Sequence, residues 1–242
     1  MKSEAWAKLR LASHFSLKHK HMSELLTQHQ AQFEKLWEVF SDWNSKINLS
    51  AIREKDDVFQ KHFEDSLLIT EFFDLDDKKI LDLGSGGGFP ALPLAIATTA
   101  SITALDSVGK KMNAVSDMVQ QLGLKNVTTL HGRFEDFAQM RNYREQYDIV
   151  TARAVAPWNV LLEYALPFVK LGGSFIAYQG PAIVEDLIEF NGLEKKFGGE
   201  IVRRGQTLLG DSERYFIEVQ KVKLTSKMFP RENGVPRNNP LV

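Results

Sequence analysis

Chemistry first suggests itself in the segment Ile80-Leu81-Asp82-Leu83-Gly84-Ser85-Gly86-Gly87-Gly88-Phe89-Pro90. An apolar run of strand character enters a glycine cluster, and a helical pattern opens directly after it. Glycines at such a turn let the backbone bend sharply and approach a ligand with no Cβ in the way. Their spacing is G-x-G-x-G. The dinucleotide fingerprint G-x-G-x-x-G needs glycine at position 89, where Phe89 stands. A phosphate loop needs a closing lysine followed by serine or threonine, and the segment has none.

Asp106 lies 22 residues beyond Gly84, at the end of the next predicted strand, where a carboxylate can accept both hydroxyls of a ribose. Asp82, on the strand before the loop, is placed to meet an ammonium group, directly or through water. S-adenosylmethionine offers a ribose and an ammonium without a phosphate. Asp82, Gly84, Gly86 and Asp106 are therefore expected to bind it. The plainer alternative is that the glycines form only a tight strand–helix connection.

These residues need a scaffold, and the periodicity supplies one. Leu25, Leu26, Phe33, Leu36, Trp37, Phe40, Trp43 and Ile47 recur at helical intervals, as one buried helix face should. Val58, Phe63, Leu67 and Ile69 mark a second helical stretch. Strands are predicted at 78–83, 102–105, 127–130, 148–152, 174–178, 201–208 and 215–222. Helical segments are expected at 110–122, near Glu135, at 161–169 behind Pro157, and at 182–197, with Gly172 and Gly173 stopping the third of these. The alternation predicts a doubly wound α/β fold with a mostly parallel, seven-stranded sheet. Two closing strands joined by the short turn Gly210-Asp211-Ser212 make the last strand antiparallel, as in methyltransferase sheets rather than dehydrogenase sheets. The expected domains are an N-terminal helical cap, residues 1–75, and a core, residues 76–242, with a basic C-terminal tail.

Composition narrows the chemistry further. The 242 residues contain no cysteine, which excludes disulfides, cysteine metal sites and thiolate nucleophiles. The most apolar stretch, residues 89–100, is shorter than the ~20 residues of a membrane span, and the N-terminus lacks a signal-like apolar run. A cytoplasmic protein is the expectation. The net charge is −1, unevenly spread. Residues 1–22 carry five basic side chains against one acidic, as do residues 221–242, while residues 54–77 carry nine acidic against two basic. Basic ends suit an anionic partner, although solvated termini explain them equally simply. The six histidines show no zinc-type spacing, so no metal is assigned.

Several segments carry a resemblance to one family. They are Lys46-Ile47-Asn48-Leu49-Ser50-Ala51-Ile52, His62-Phe63-Glu64-Asp65-Ser66-Leu67, the glycine loop with Phe89-Pro90, and Leu92-Pro93-Leu94-Ala95-Ile96. Leu105-Asp106-Ser107 with Lys110-Lys111, His131-Gly132-Arg133-Phe134-Glu135, Thr151-Ala152-Arg153-Ala154-Val155-Ala156 and the tail from Phe229-Pro230-Arg231 to Asn239-Pro240-Leu241 extend it. Over roughly residues 33–241 the chain resembles the small-subunit ribosomal RNA methyltransferase G family, also called glucose-inhibited division protein B. The resemblance implies a class I fold dependent on S-adenosylmethionine. The implied reaction is methylation of N7 of one guanine in 16S rRNA, and the implied partner is that RNA or the small ribosomal subunit. It further implies that Gly84 and Phe89 contact the cofactor, that Phe134 and Glu135 border its adenine, and that Arg153 sits at the mouth of the site, near cofactor and target base. Arg153 is the expected catalytic residue and cofactor contact, with a structural salt bridge at the strand end as the alternative. The chain departs from the family pattern at Ala91, where glycine is usual, at Gln179, where lysine is common, and in a less basic tail.

The remaining residues agree with that chemistry. Guanine N7 has a lone pair and no proton, so its methylation needs no general base. Methylation at C5 of a pyrimidine would need the missing cysteine, and exocyclic amine enzymes carry a proline-rich motif where Thr151-Ala152-Arg153-Ala154 stands. Trp158 is a candidate to stack an extruded guanine, with core packing as its ordinary role. His62 and Asp65 are expected to hold the helical cap to the core. Lys110 and Lys111 are candidates to approach an RNA backbone, with helix solvation as the ordinary alternative. A nucleotide-dependent oxidoreductase, a non-enzymatic assembly factor and a small-molecule methyltransferase are the competing classes, and a monomer is the default state.

Overall fold

The structure is a computed structural model, and it describes residues 19–242; most of the basic N-terminal run therefore lies outside the described residues. Two compact units are present, one ending at Gly132 and the other running from Arg133 to Val242.

In the first unit, the helix Gln30–Ile47 buries Phe33, Leu36, Val39 and Phe40. Phe33, Leu36 and Phe40 belong to the face the helical spacing predicts, while Trp37, Trp43 and Ile47 on it are partly buried. It stops at Asn48, whose φ of 53° is left-handed, a conformation asparagine tolerates at a helix end. The next helical stretch is not uniform. An α-turn, Lys55–Val58, passes into a π-helix, Phe59–Glu64, then into the α-turn Asp65–Leu67 and the 3-10 turn Leu68–Glu71. Strands β1 (Lys79–Leu83), β2 (Ser101–Asp106) and β3 (Val127–His131) follow. β2 pairs in parallel with both others, aligning Leu83 with Leu105 and Asp106 with His131. The strand ends carrying Gly84 and Asp106 therefore lie side by side, which is how the topology brings the glycine loop to the carboxylate. The helix Gly109–Leu122 covers this sheet through Met112, Ala114, Val115 and Met118, and Trp43 Nε1 donates to its Asp117 at 2.7 Å.

In the second unit, β4 (Tyr147–Arg153) and β5 (Val169–Gln179) are parallel, and β7 (Ser212–Lys221) runs antiparallel to both β5 and β6 (Gly199–Leu209). The strand order of the sheet is β3-β2-β1-β4-β5-β7-β6, the expected doubly wound arrangement of seven strands with an antiparallel end.

One boundary differs from the sequence reading. The helix Trp158–Ala165 gives way to a 3-10 turn, Leu166–Phe168, and β5 already starts at Val169. Gly172 and Gly173 lie inside β5, not at a helix stop. A Cβ on Gly173 would lie 2.6 Å from the Asp148 carbonyl oxygen, so glycine there permits the close approach where the β4–β5 register shifts.

Among the described residues, no helix is long and apolar enough to cross a membrane.

Candidate functional site

The glycine loop hangs from the ends of β1 and β2. The amides of Gly84 and Ser85 donate to the Leu105 carbonyl at 2.8 and 3.2 Å. Gly86 N–H donates to Asp106 Oδ2 at 2.9 Å, and Val108 N–H to Oδ1 at 2.8 Å. Asp106 is buried, yet two amides occupy only part of its acceptor capacity, since a carboxylate has about four lone-pair positions. Gly84, Gly86 and Gly88 all take positive φ, so the loop's path requires glycine at these points. Asp82 is buried on β1, and the Ser85 hydroxyl is buried with no hydrogen-bond partner among the described residues.

Phe89, at the far end of the loop, is also buried. Its ring packs edge-on to Phe40 and flat against His62. His62 Nε2 lies 2.8 Å from Ser50 Oγ. Ser50 is in turn fixed by Asn44, whose Oδ1 accepts the Ser50 amide at 2.8 Å and whose Nδ2 donates to Ile52 O at 3.1 Å. Two of the segments that carry the family resemblance, around Ser50 and His62, thus converge on the loop residue Phe89. His62 joins the helical segment to the core as expected; the π-helix that carries it leaves no mark in the periodicity.

In the second unit, Phe134 opens the helix Phe134–Gln139 and packs edge-on to Tyr164, with ring centroids 5.3 Å apart. Glu135 is 3% exposed. Its Oε1 accepts from the Gly234 amide at 2.9 Å and from the Arg133 guanidinium at 3.3 Å. Its Oε2 is buried with no partner of ordinary hydrogen-bond geometry among the described residues. Burial, then the negative charge of Glu135 and a hydrogen bond to its carboxylate, push the Tyr164 hydroxyl up to about 12. Arg153 ends β4 half-buried, and Ala154 after it has a φ of 56°, a left-handed conformation costly for alanine and of the kind found at functional sites.

Trp158 is 1% exposed and stacks on Phe175, so it takes its ordinary role as a core residue, with no face for an extruded base. Two of the five basic residues of the tail, Lys221 and Arg231, are engaged internally, while Lys223, Lys227 and Arg237 are exposed. Lys221 is buried against the Leu166 carbonyl, the Thr225 hydroxyl and Glu145. Arg231 is paired with the buried Glu163. Lys110 is exposed, which helix solvation explains. Sequence reasoning missed the roles of Arg231, Glu163 and Gly234, since no local spacing links residues so far apart in the chain.

This donor set suits the cofactor inferred from the residues. In the first unit, the Asp106 carboxylate has acceptor capacity to spare beside a glycine-rich loop, and the loop offers no lysine-closed phosphate cradle.

The family described as rRNA small subunit methyltransferase G (GidB) matches residues 29–202. The ribosomal RNA small subunit methyltransferase G of Brevibacillus brevis is 39% identical over 222 residues, covering 90% of this chain and 93% of that one. The protein of the same name from Lactobacillus delbrueckii subsp. bulgaricus is 42% identical over 219 residues, covering 88% and 91%. Among solved structures, a SAM-dependent methyltransferase from Aquifex aeolicus shares the fold with a TM-score of 0.50 at 17% identity, over 69% of this chain and 93% of that one.

Proposed function

The chain belongs to the rRNA small subunit methyltransferase G family, and from that premise we propose that it transfers a methyl group from S-adenosylmethionine to N7 of a guanine in 16S ribosomal RNA. The observation that carries the reading is the Asp106 carboxylate, clamped by the Gly86 and Val108 amides at the end of β2, with acceptor capacity to spare. Its remaining lone pairs receive the ribose hydroxyls. Asp82 meets the ammonium, and Gly84, Gly86 and Phe89 form the loop against which the cofactor rests. Phe134 and Glu135 serve the adenine.

Bound S-adenosylmethionine supplies an electrophilic methyl group on a sulfonium. Guanine N7 presents an in-plane lone pair and carries no proton, so no side chain has to remove one. What remains for the protein is alignment of the base and exclusion of water. Arg153 does the first: its guanidinium donates to guanine O6 or to a flanking phosphate, in the way arginine reads guanine elsewhere. The left-handed turn at Ala154 fixes the direction in which the chain leaves that arginine. The protein works as a monomer in the cytoplasm, on 16S rRNA within the small subunit or an assembly intermediate of it.

The test is incubation of the purified protein with labelled S-adenosylmethionine and small subunits from a strain lacking the endogenous enzyme, followed by nuclease digestion and mass spectrometry. The expected result is a single 7-methylguanosine in 16S rRNA that disappears with Arg153→Ala. Cofactor binding without transfer to rRNA would overturn the substrate, and transfer undiminished in Arg153→Ala would remove that residue from the site.

A further inference from the structure

The C-terminal segment beyond β7 is tied to its unit through buried carboxylates. Arg231 Nε and Nη2 donate to Glu163 Oε1 and Oε2 at 2.9 and 2.7 Å, and the Arg231 amide donates to Oε1 at 2.8 Å. Glu163 is 1% exposed, so this is the fork-to-fork pairing in which arginine is strongest. Arg231 Nη1 also donates to the Asn239 carbonyl at 2.9 Å, closing the segment on itself. Three residues past Arg231, the Gly234 amide reaches Glu135 Oε1, and Asn233 Nδ2 reaches Asp136 Oδ1 at 2.9 Å. Glu135 Oε1 is therefore held by the tail and by Arg133. The Tyr164 hydroxyl also hydrogen-bonds this carboxylate, and Oε2 is buried with no partner of ordinary hydrogen-bond geometry among the described residues. A buried carboxylate oxygen left so is costly unless something supplies a hydrogen bond.

We propose that Arg231 is a positioning residue for the cofactor: by clamping Glu163 it holds the Gly234 amide on Glu135 Oε1, which fixes the carboxylate so that Oε2 receives an N–H or O–H donor of the adenosine. The inference rests on Glu135 serving the cofactor, as proposed above. Arg231 itself touches no ligand. Its effect passes through Gly234 and Glu135, and a carboxylate released from Gly234 would have to be ordered again by the ligand, which weakens binding.

The experiment measures equilibrium binding of S-adenosylhomocysteine by calorimetry, with thermal unfolding recorded alongside. The proteins are the wild type, Arg231→Ala, Arg231→Lys, Glu135→Ala and the double variant Glu135→Ala/Arg231→Ala. Arg231→Ala is expected to raise Kd about tenfold, within the usual range for coupling between sites. Arg231→Lys keeps the charge but loses the fork and falls between. In the Glu135→Ala background, Arg231→Ala adds nothing further, a signature of action through Glu135 that a general loss of stability would not produce. Should Arg231→Ala fail to fold, Arg231→Lys carries the same comparison. An unchanged Kd in folded Arg231→Lys and Arg231→Ala overturns the proposal, as does an equal loss in the Glu135→Ala background. Wild-type affinity in Glu135→Ala overturns it by removing Glu135 from the site. Failure of the wild-type protein to bind would instead sink the cofactor reading, and this inference with it.

Discussion

The imidazole of His62 lies flat on the ring of Phe89, with centroids 4.5 Å apart and planes 7° from parallel. One residue belongs to a π-helical turn, the other to the end of the glycine loop, and 27 positions separate them. The π-helix places one extra residue in the turn, and Ser50 holds the imidazole nitrogen from the other side. The loop is therefore braced by aromatic contact at one end and by the Asp106 carboxylate at the other.

Replacing His62 by alanine removes both the stacked ring and the hydrogen bond to Ser50. The expected cost is about 2–3 kcal/mol of stability, read as a lower urea midpoint. Ser50→Ala keeps the ring but removes that hydrogen bond together with the one its hydroxyl accepts from the Ile52 amide, and should cost about 1–2 kcal/mol. No further loss on His62→Ala in the Ser50→Ala background would show that the ring contact contributes nothing.

The glycines of the loop are not equivalent. At Gly86 a Cβ would meet nothing closer than 3.8 Å, so Gly86→Ala costs only the left-handed backbone, about 1–2 kcal/mol. At Gly88, φ is 94° and a Cβ would sit 2.7 Å from Leu92 Cδ1; strain and overpacking together should cost about 3 kcal/mol. Denaturant unfolding of the two variants checks the order, and a reversed order would contradict the packing described for the loop.

Asp106→Asn turns one acceptor into a donor facing a backbone N–H. Whichever way the amide flips, the Gly86 or the Val108 amide loses its partner, at about 1–3 kcal/mol. Hydrogen exchange should quicken at that amide even without ligand. Unchanged protection at both would mean that the carboxylate is not what shapes the loop.

Lys221 makes a prediction in pH. Burial depresses its folded pKa from 10.5 to about 8, while Glu145 opposes the shift. Between those values the unfolded chain binds more protons than the folded one, so this residue's contribution to stability rises with pH. The full swing is about 3 kcal/mol, at 1.36 kcal/mol per unit. Comparing the wild type with Lys221→Met isolates it: the stability difference should move in favour of the wild type from pH 8 to 10.5. A flat difference would show that Lys221 titrates normally.

The parts of this molecule legible in its sequence are those whose causes are local. β1, β2 and β4 read as apolar runs ending at glycine or a polar residue, and the loop with Asp106 declared itself by spacing within one strand–helix–strand unit. Gly172 and Gly173 misled because a glycine pair looks the same at a helix stop and at a strand irregularity; only the neighbouring Asp148 carbonyl decides between them. Trp158 carried no local sign of its burial against Phe175. Glu163 and Arg231 each look like ordinary surface charges in their own windows. Their pairing depends on the whole unit having folded.

That pairing also bears on how the protein is made. Glu163 leaves the ribosome 68 residues ahead of Arg231, an interval of roughly 3–14 s at ordinary rates of synthesis. Until the arginine arrives, closing the core around Glu163 would bury an uncompensated charge. Closure of the second unit around Glu163 is thus disfavoured until the chain through Arg231 has been made.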